Sequence, residues 1–223
     1  MGLYRGAEVF GHTMNEEPVI FRSEGLKLEG LLYQPRDVAE ARGAVVCHPH
    51  PLYGGSMLDV IVEAILKAMW AIDCATLRFN FRGVGNSQGE YDEGRGEARD
   101  AEAAVKYIAG LRGMQRGKVI LAGYSFGAMA AVNAAARTPE VTTVVAVAPP
   151  ILADGVGQLV ALKKRLVVVA GEEDRYCPPA QLEVLRNALI GLIRLKIIPG
   201  ADHFFAGHEE QVTAALIDTV HSA

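Results

Sequence analysis

The chain has 223 residues, half of them apolar and 22% charged, which suits one globular domain and excludes a disordered or low-complexity protein. A net charge of −4 provides no basic field to gather nucleic acid or anionic lipid, and no apolar stretch approaches the roughly 18 residues of a membrane helix. Three widely spaced cysteines (Cys47, Cys74, Cys177) form no CxxC pair, and the first seventeen residues carry Arg5, Glu8, Glu16 and Glu17 in place of a secretory apolar run, so reduced thiols and a cytoplasmic location are expected.

No repeat or linker divides the sequence, so residues 18–223 are expected to form one domain, behind an extension, 1–17, to which no role is assigned. Residues 18–23 and 26–33 flank Glu24-Gly25 and predict an opening hairpin. Apolar runs rich in β-branched residues predict strands at 44–47, 75–80, 118–122, 141–147, 166–170 and 194–198; their lack of alternation suits burial on both faces of a parallel sheet. Between them, helical spacing appears at 57–70, where Leu58, Ile61, Val62, Ile65, Leu66 and Met69 share a face, and again at 94–111, 125–137, 179–189 and 205–220. Strand alternating with helix predicts an α/β fold with a doubly wound, mostly parallel sheet, whose ligands sit beyond the carboxyl ends of the strands. The basic cluster Lys163-Lys164-Arg165 is expected to be a solvated helix end or loop.

Gly123-Tyr124-Ser125-Phe126-Gly127 joins the strand ending at Ala122 to an Ala-rich helix. G-x-S-x-G in a strand-turn-helix context is the nucleophile elbow of α/β-hydrolases. The serine there occupies a strained backbone conformation that lifts its hydroxyl above the sheet, and strand and helix approach so closely that the flanking positions accept little but glycine. The helix start aims free N–H groups and its positive dipole end at the reacting oxygen.

A serine hydroxyl needs an imidazole to take its proton, and the imidazole needs a carboxylate to hold its tautomer; in this fold the order is Ser, acid, His. Downstream of Ser125 lie His203, His208 and His221. His221 is terminal and His208 falls within a predicted helix, whereas His203 sits in the loop after the last strand, where the base is expected. For the acid, Asp174 follows the 166–170 strand; Glu172 and Glu173 compete from positions nearer the strand, and Asp202 is read as a turn former.

Cys47-His48-Pro-His50-Pro-Leu-Tyr53-Gly-Gly-Ser56 follows the 44–47 strand, where half of an oxyanion hole is expected; the other half is the N–H of Phe126. Pro49 and Pro51 cannot donate, which leaves His50, Leu52, Tyr53 or a later residue, with His50 and Tyr53 preferred. His48 and His50 beside Cys47 lack a third metal ligand, so no metal is expected and His48 is read as tying loops together. The 79–89 loop, with Gly83, Gly85 and Gly89, lacks the full G-x-G-x-x-G and is read as structural, with Arg82 bonding to neighbouring carbonyls.

HPHPLYGGS, the NFRGVGNSQG run, GYSFG, the strand end before Asp174 and GADHFF, in that order, resemble the small lidless bacterial α/β-hydrolases of the dienelactone-hydrolase-like, carboxylesterase kind, from about Val19 to the C-terminus. The resemblance implies an α/β-hydrolase fold without a cap domain and assigns Ser125, Asp174 and His203 the roles of nucleophile, acid and base. Dienelactone hydrolases proper use a cysteine nucleophile, so their substrate is not carried over to a chain with serine.

Only residues 148–165 separate two strands where cap domains are commonly inserted, too few for a cap. An open, shallow site is therefore expected, lined by Tyr53, Phe126, Pro149, Pro150, Ile151, Tyr176 and Phe204 and suited to small or short-chain acyl groups. The expected activity is cofactor-free hydrolysis of a small-molecule carboxylic ester or thioester; an amidase or peptidase with the same residues, or a non-catalytic binding protein on the scaffold, stays open. Neither a nucleic-acid nor a membrane partner is expected, and exposed helix faces leave room for a homodimer.

Overall fold

A computed structural model describes residues 8–9, 12–35, 40–151 and 155–221. The predicted hairpin is β3 (Glu17–Ser23) and β4 (Leu26–Tyr33), turning at Glu24 and Gly25, both at positive φ. There follow β5 (Ala41–Cys47), α1 (Val60–Trp70), β6 (Ala75–Phe79), α2 (Arg95–Ala109), β7 (Met114–Tyr124) and α3 (Phe126–Ala135). The second half is β8 (Val141–Val147), α4 (Gly155–Ala161), β9 (Arg165–Gly171), α5 (Pro179–Ala188), β10 (Ile193–Ile198) and α6 (Glu209–His221). Ahead of the hairpin, β1 (Glu8–Val9) and β2 (His12–Thr13) form a separate antiparallel pair.

The main sheet has eight strands in the order β10-β9-β8-β7-β5-β6-β4-β3, parallel from β10 to β6 and antiparallel from β6 to β3. Side chains alternate across it. Val45 and Cys47 of β5 face a core shared with α2, α3, α4 and α5, whereas Ala44 and Val46 face the one shared with α1 and α6. Burial on both faces is the reason these strands read as unbroken apolar runs.

The starts of two helices move for local reasons. α1 begins at Val60, not 57, because the Asp59 side chain accepts the Ile61 N–H at 2.8 Å and caps the helix, while the Met57 N–H is drawn to Asn80 Oδ1 at 2.9 Å. α6 begins at Glu209 rather than 205. Asp202 Oδ1 accepts the N–H groups of Phe204 and Phe205, and Phe205 and Gly207 then take positive φ, so His208 precedes the helix in which it was expected. α4 forms between β8 and β9, outside the helical stretches predicted from the sequence.

Arg82 also departs from expectation. Instead of carbonyls it meets carboxylates: Nε and Nη2 reach Asp100 at 3.0 and 2.8 Å, and Nη2 reaches Glu24 at 3.1 Å. Asp100 is fully buried, so the fork of the guanidinium supplies the charge and hydrogen bonds it would otherwise lack. The rest of the 79–89 loop is held through Glu29, whose carboxylate accepts from Asn80 and from the main chain and side chain of Asn86. Glu16, in the segment left unread, forms a largely buried ion pair with Arg78 of β6; burial raises the Glu16 pKa, and the guanidinium works against that rise. Of the basic cluster, Lys164 is not solvated alone: its Nζ donates to the carbonyls of Thr138 and Val141.

Candidate active site

Ser125 stands between β7 and α3 with φ 53° and ψ −118°, a conformation L-residues rarely adopt. The turn is sharp enough that a Cβ on Gly123 would strike the Gly127 backbone, and one on Gly127 would strike the carbonyls of Cys47 and His48. Both glycines are therefore required by contact, and Gly127 brings the start of α3 directly against the end of β5. The alanines of α3 fit the same closeness, since Ala128, Ala130, Ala131, Ala134 and Ala135 are all buried.

Ser125 Oγ lies 2.9 Å from His203 Nε2, and His203 Nδ1 lies 2.8 Å from Asp174 Oδ2. The carboxylate fixes the tautomer: Nδ1 carries the proton toward Asp174, leaving Nε2 to accept from the serine. Asp174 is itself held, with Oδ1 accepting the N–H groups of Tyr176 and Cys177 at 2.8 and 3.0 Å. The Tyr124 hydroxyl donates to the carbonyl of His203 at 3.0 Å and anchors the loop that carries the imidazole. The competing acids lie elsewhere. Glu172 and Glu173 are exposed, Glu172 accepting the Gly200 N–H, and Asp202 forms the turn described above.

The loop after β5 narrows the choice of oxyanion donor. A short 3₁₀ turn, Pro51–Tyr53, follows His50. It commits the Tyr53 N–H to the carbonyl of His50 at 3.1 Å and the Leu52 N–H to His50 Nδ1 at 3.2 Å, so neither amide points at the serine. Tyr53 is thus removed as an oxyanion donor. The amides of His50 and Phe126 donate to no group among the described residues. His48 sets the first of these: buried, it donates from Nδ1 to the Pro49 carbonyl at 2.7 Å and accepts the Phe81 N–H on Nε2 at 3.1 Å. In a trans peptide the N–H points opposite to the C=O, so fixing the Pro49 carbonyl also fixes the direction of the His50 N–H. Desolvation lowers the His48 pKa to about 4, which keeps the ring neutral for both bonds.

Above Ser125 lies a cleft of about 620 Å³ whose lining includes His50, Tyr53, Asp59, Phe126, Met129, Pro150, Tyr176 and Phe204. Tyr53, Tyr176 and Phe204 are exposed at its rim. His50 packs against Tyr53, Tyr91 and Phe126, ring centroids 4.6–5.2 Å apart, and Tyr176 lies 4.7 Å from the His203 ring. Burial lowers the His50 pKa, so this ring too is held toward neutrality. Two expected lining residues are absent. Pro149 is buried, and Ile151 is wholly buried in the core shared with α2 to α5. Sequence reading missed Asp59, Tyr124 and Met129. Met129 was recoverable, because it lies one turn after Ser125 on the face that the elbow exposes.

Among the described residues no helix is long and apolar enough to cross a membrane. An uncharacterized protein of Rickettsia prowazekii, RP471, is 35% identical over 183 residues, 78% of this chain and 76% of its own. An α/β serine hydrolase homologue from Coxiella burnetii superposes with a TM-score of 0.82 at 31% identity, covering 92% of this chain and 97% of that one. XC6422 from Xanthomonas campestris, described as an α/β serine hydrolase without lid, gives 0.79 at 26% identity and 97% of each chain. The sheet order, the lack of a cap between β8 and β9, and the match of residues 89–222 to the dienelactone hydrolase family model agree: this chain is an α/β-hydrolase and belongs to the dienelactone hydrolase family.

Proposed function

We propose that this protein is a serine hydrolase that cleaves small or short-chain carboxylic esters or thioesters through an acyl-Ser125 intermediate. The observation that carries this reading is the unbroken chain Ser125 Oγ, His203, Asp174, with bonds of 2.9 and 2.8 Å. His203 Nε2 takes the Ser125 proton as Oγ adds to the substrate carbonyl. The oxyanion so formed is met by the N–H groups of Phe126 and His50. His203 then gives its proton to the departing alcohol or thiol. In the second half it takes a proton from water as the water adds to the acyl carbon, then returns it to the departing Ser125 Oγ, releasing the acid and restoring free Ser125 and neutral His203. The open rim, with Tyr53, Tyr176 and Phe204 exposed around the cleft, supports small acyl groups.

The test is hydrolysis of p-nitrophenyl esters of increasing chain length by wild type and Ser125→Ala, with fluorophosphonate labelling mapped by mass spectrometry. Turnover of short esters that falls about 10⁴-fold or more in the variant, with label on Ser125, is expected. A wild type that neither turns over nor labels would sink the reading.

A further inference from the structure

We infer that the substrate carries a positive charge, an amino or quaternary ammonium group, with Asp59 as its counter-charge; this rests on the hydrolase reading above. Among the described residues that line the cleft, Asp59 is the one formally charged side chain apart from the titratable histidines, and it makes no ion pair among the described residues. Its carboxylate is partly buried, which raises its pKa against the hydrogen bonds from the start of α1. Capping alone does not call for a charge, because Ser, Thr or Asn caps a helix as well. The dipole of α1 and the Ile61 N–H support the anion in part, but a partly buried carboxylate with no ion pair among the described residues still costs desolvation that a cationic ligand would offset.

The charged groups acting on Tyr124 are Asp59, Asp174 and Asp202, and those acting on Tyr91 are Glu97 and Glu93. The exposed Arg175 adjoins Tyr176 in the chain but does not line the cleft. Tyr53, Tyr176 and Phe204 add ring faces of the kind that hold quaternary ammonium groups. A carboxylate with aromatic walls and no lining Lys or Arg favours a cationic substrate over a neutral one and disfavours an anionic one.

The experiment uses matched thioesters and esters. One pair places the charge on the leaving arm: 2-(trimethylammonio)ethyl thioacetate against 3,3-dimethylbutyl thioacetate. The other places it on the acyl arm: the p-nitrophenyl ester of 4-(trimethylammonio)butyrate against that of 5,5-dimethylhexanoate. Each is assayed with wild type and Asp59→Asn, a substitution that keeps a good N-cap. In at least one pair the wild type is expected to favour the cation in kcat/KM by about tenfold, and Asp59→Asn to bring that ratio close to one. A ratio near one in both wild-type pairs, or a preference that survives in Asp59→Asn, overturns the inference while leaving the hydrolase standing. If wild type cleaves none of these compounds, the hydrolase reading is decided separately by the fluorophosphonate label on Ser125, and a titration with phenyltrimethylammonium followed by NMR decides the inference: saturable binding weakened about tenfold in Asp59→Asn supports the site, and none overturns it.

Discussion

His48 Nε2 accepts the backbone N–H of Phe81 at 3.1 Å, which joins the carboxyl end of β5 to the chain just beyond β6. Through its other nitrogen the same ring holds the Pro49 carbonyl, so one neutral imidazole ties the loop after β5 to the chain beyond β6. Protonation would place a hydrogen on Nε2 against the Phe81 N–H and break that bond.

The pH dependence follows. With its pKa lowered from 6.5 to about 4, His48 stays neutral in the folded protein over a range where the unfolded chain binds a proton. Its contribution is therefore fully present above about pH 6.5 and is lost as pH falls toward 4, amounting to about 3 kcal/mol. Urea denaturation of wild type and His48→Gln across that range checks it. The variant is expected to be less stable at neutral pH and to show a shallower loss on acidification; parallel curves would refute the account.

Replacing Asp174 by Asn keeps an oxygen for the Tyr176 and Cys177 amides but turns an N–H₂ toward His203 Nδ1. The imidazole then carries its proton on Nε2, where it cannot accept from Ser125. A fall in kcat of about 10⁴-fold is expected, with little change in thermal midpoint. Ester kinetics beside a melting curve separate the two effects.

Ser125 stores backbone strain at φ 53° and ψ −118°. Ser125→Gly relieves it and Ser125→Ala does not, although both remove the hydroxyl. The glycine variant is expected to be the more stable by about 1 kcal/mol, or ~2–4 °C in a domain of this size. Equal midpoints in calorimetry would show that the strain is absent.

Removing Asp100 leaves the buried Arg82 guanidinium with only the more exposed Glu24 as a counter-charge. Asp100→Ala is expected to lower the unfolding free energy by about 3–5 kcal/mol, measured by urea denaturation. A loss below about 1 kcal/mol would mean that Glu24, which also reaches Arg82, is sufficient on its own.

The parts legible in the sequence were those encoded by short-range rules. Val-rich runs without alternation marked strands buried on both faces, Gly123 and Gly127 marked a turn too tight for side chains, and the order Ser125, Asp174, His203 followed from strand ends in succession. What only the tertiary structure decided depended on partners distant in the chain. Arg82 was placed on carbonyls because Asp100 lies 18 positions away, on a helix packed against its loop. Tyr53 was a plausible donor until the 3₁₀ turn spent its N–H on His50, since the direction of an amide depends on dihedral angles that composition does not specify. Ile151 looked like a wall of the cleft because it follows Pro149 and Pro150, yet the chain turns inward there and buries it. Asp59 falls inside the helix expected over 57–70, with nothing to single it out; that it lines the cleft beside Ser125 is set by how α1 packs on the sheet, a long-range apolar contact that leaves no local mark in the sequence.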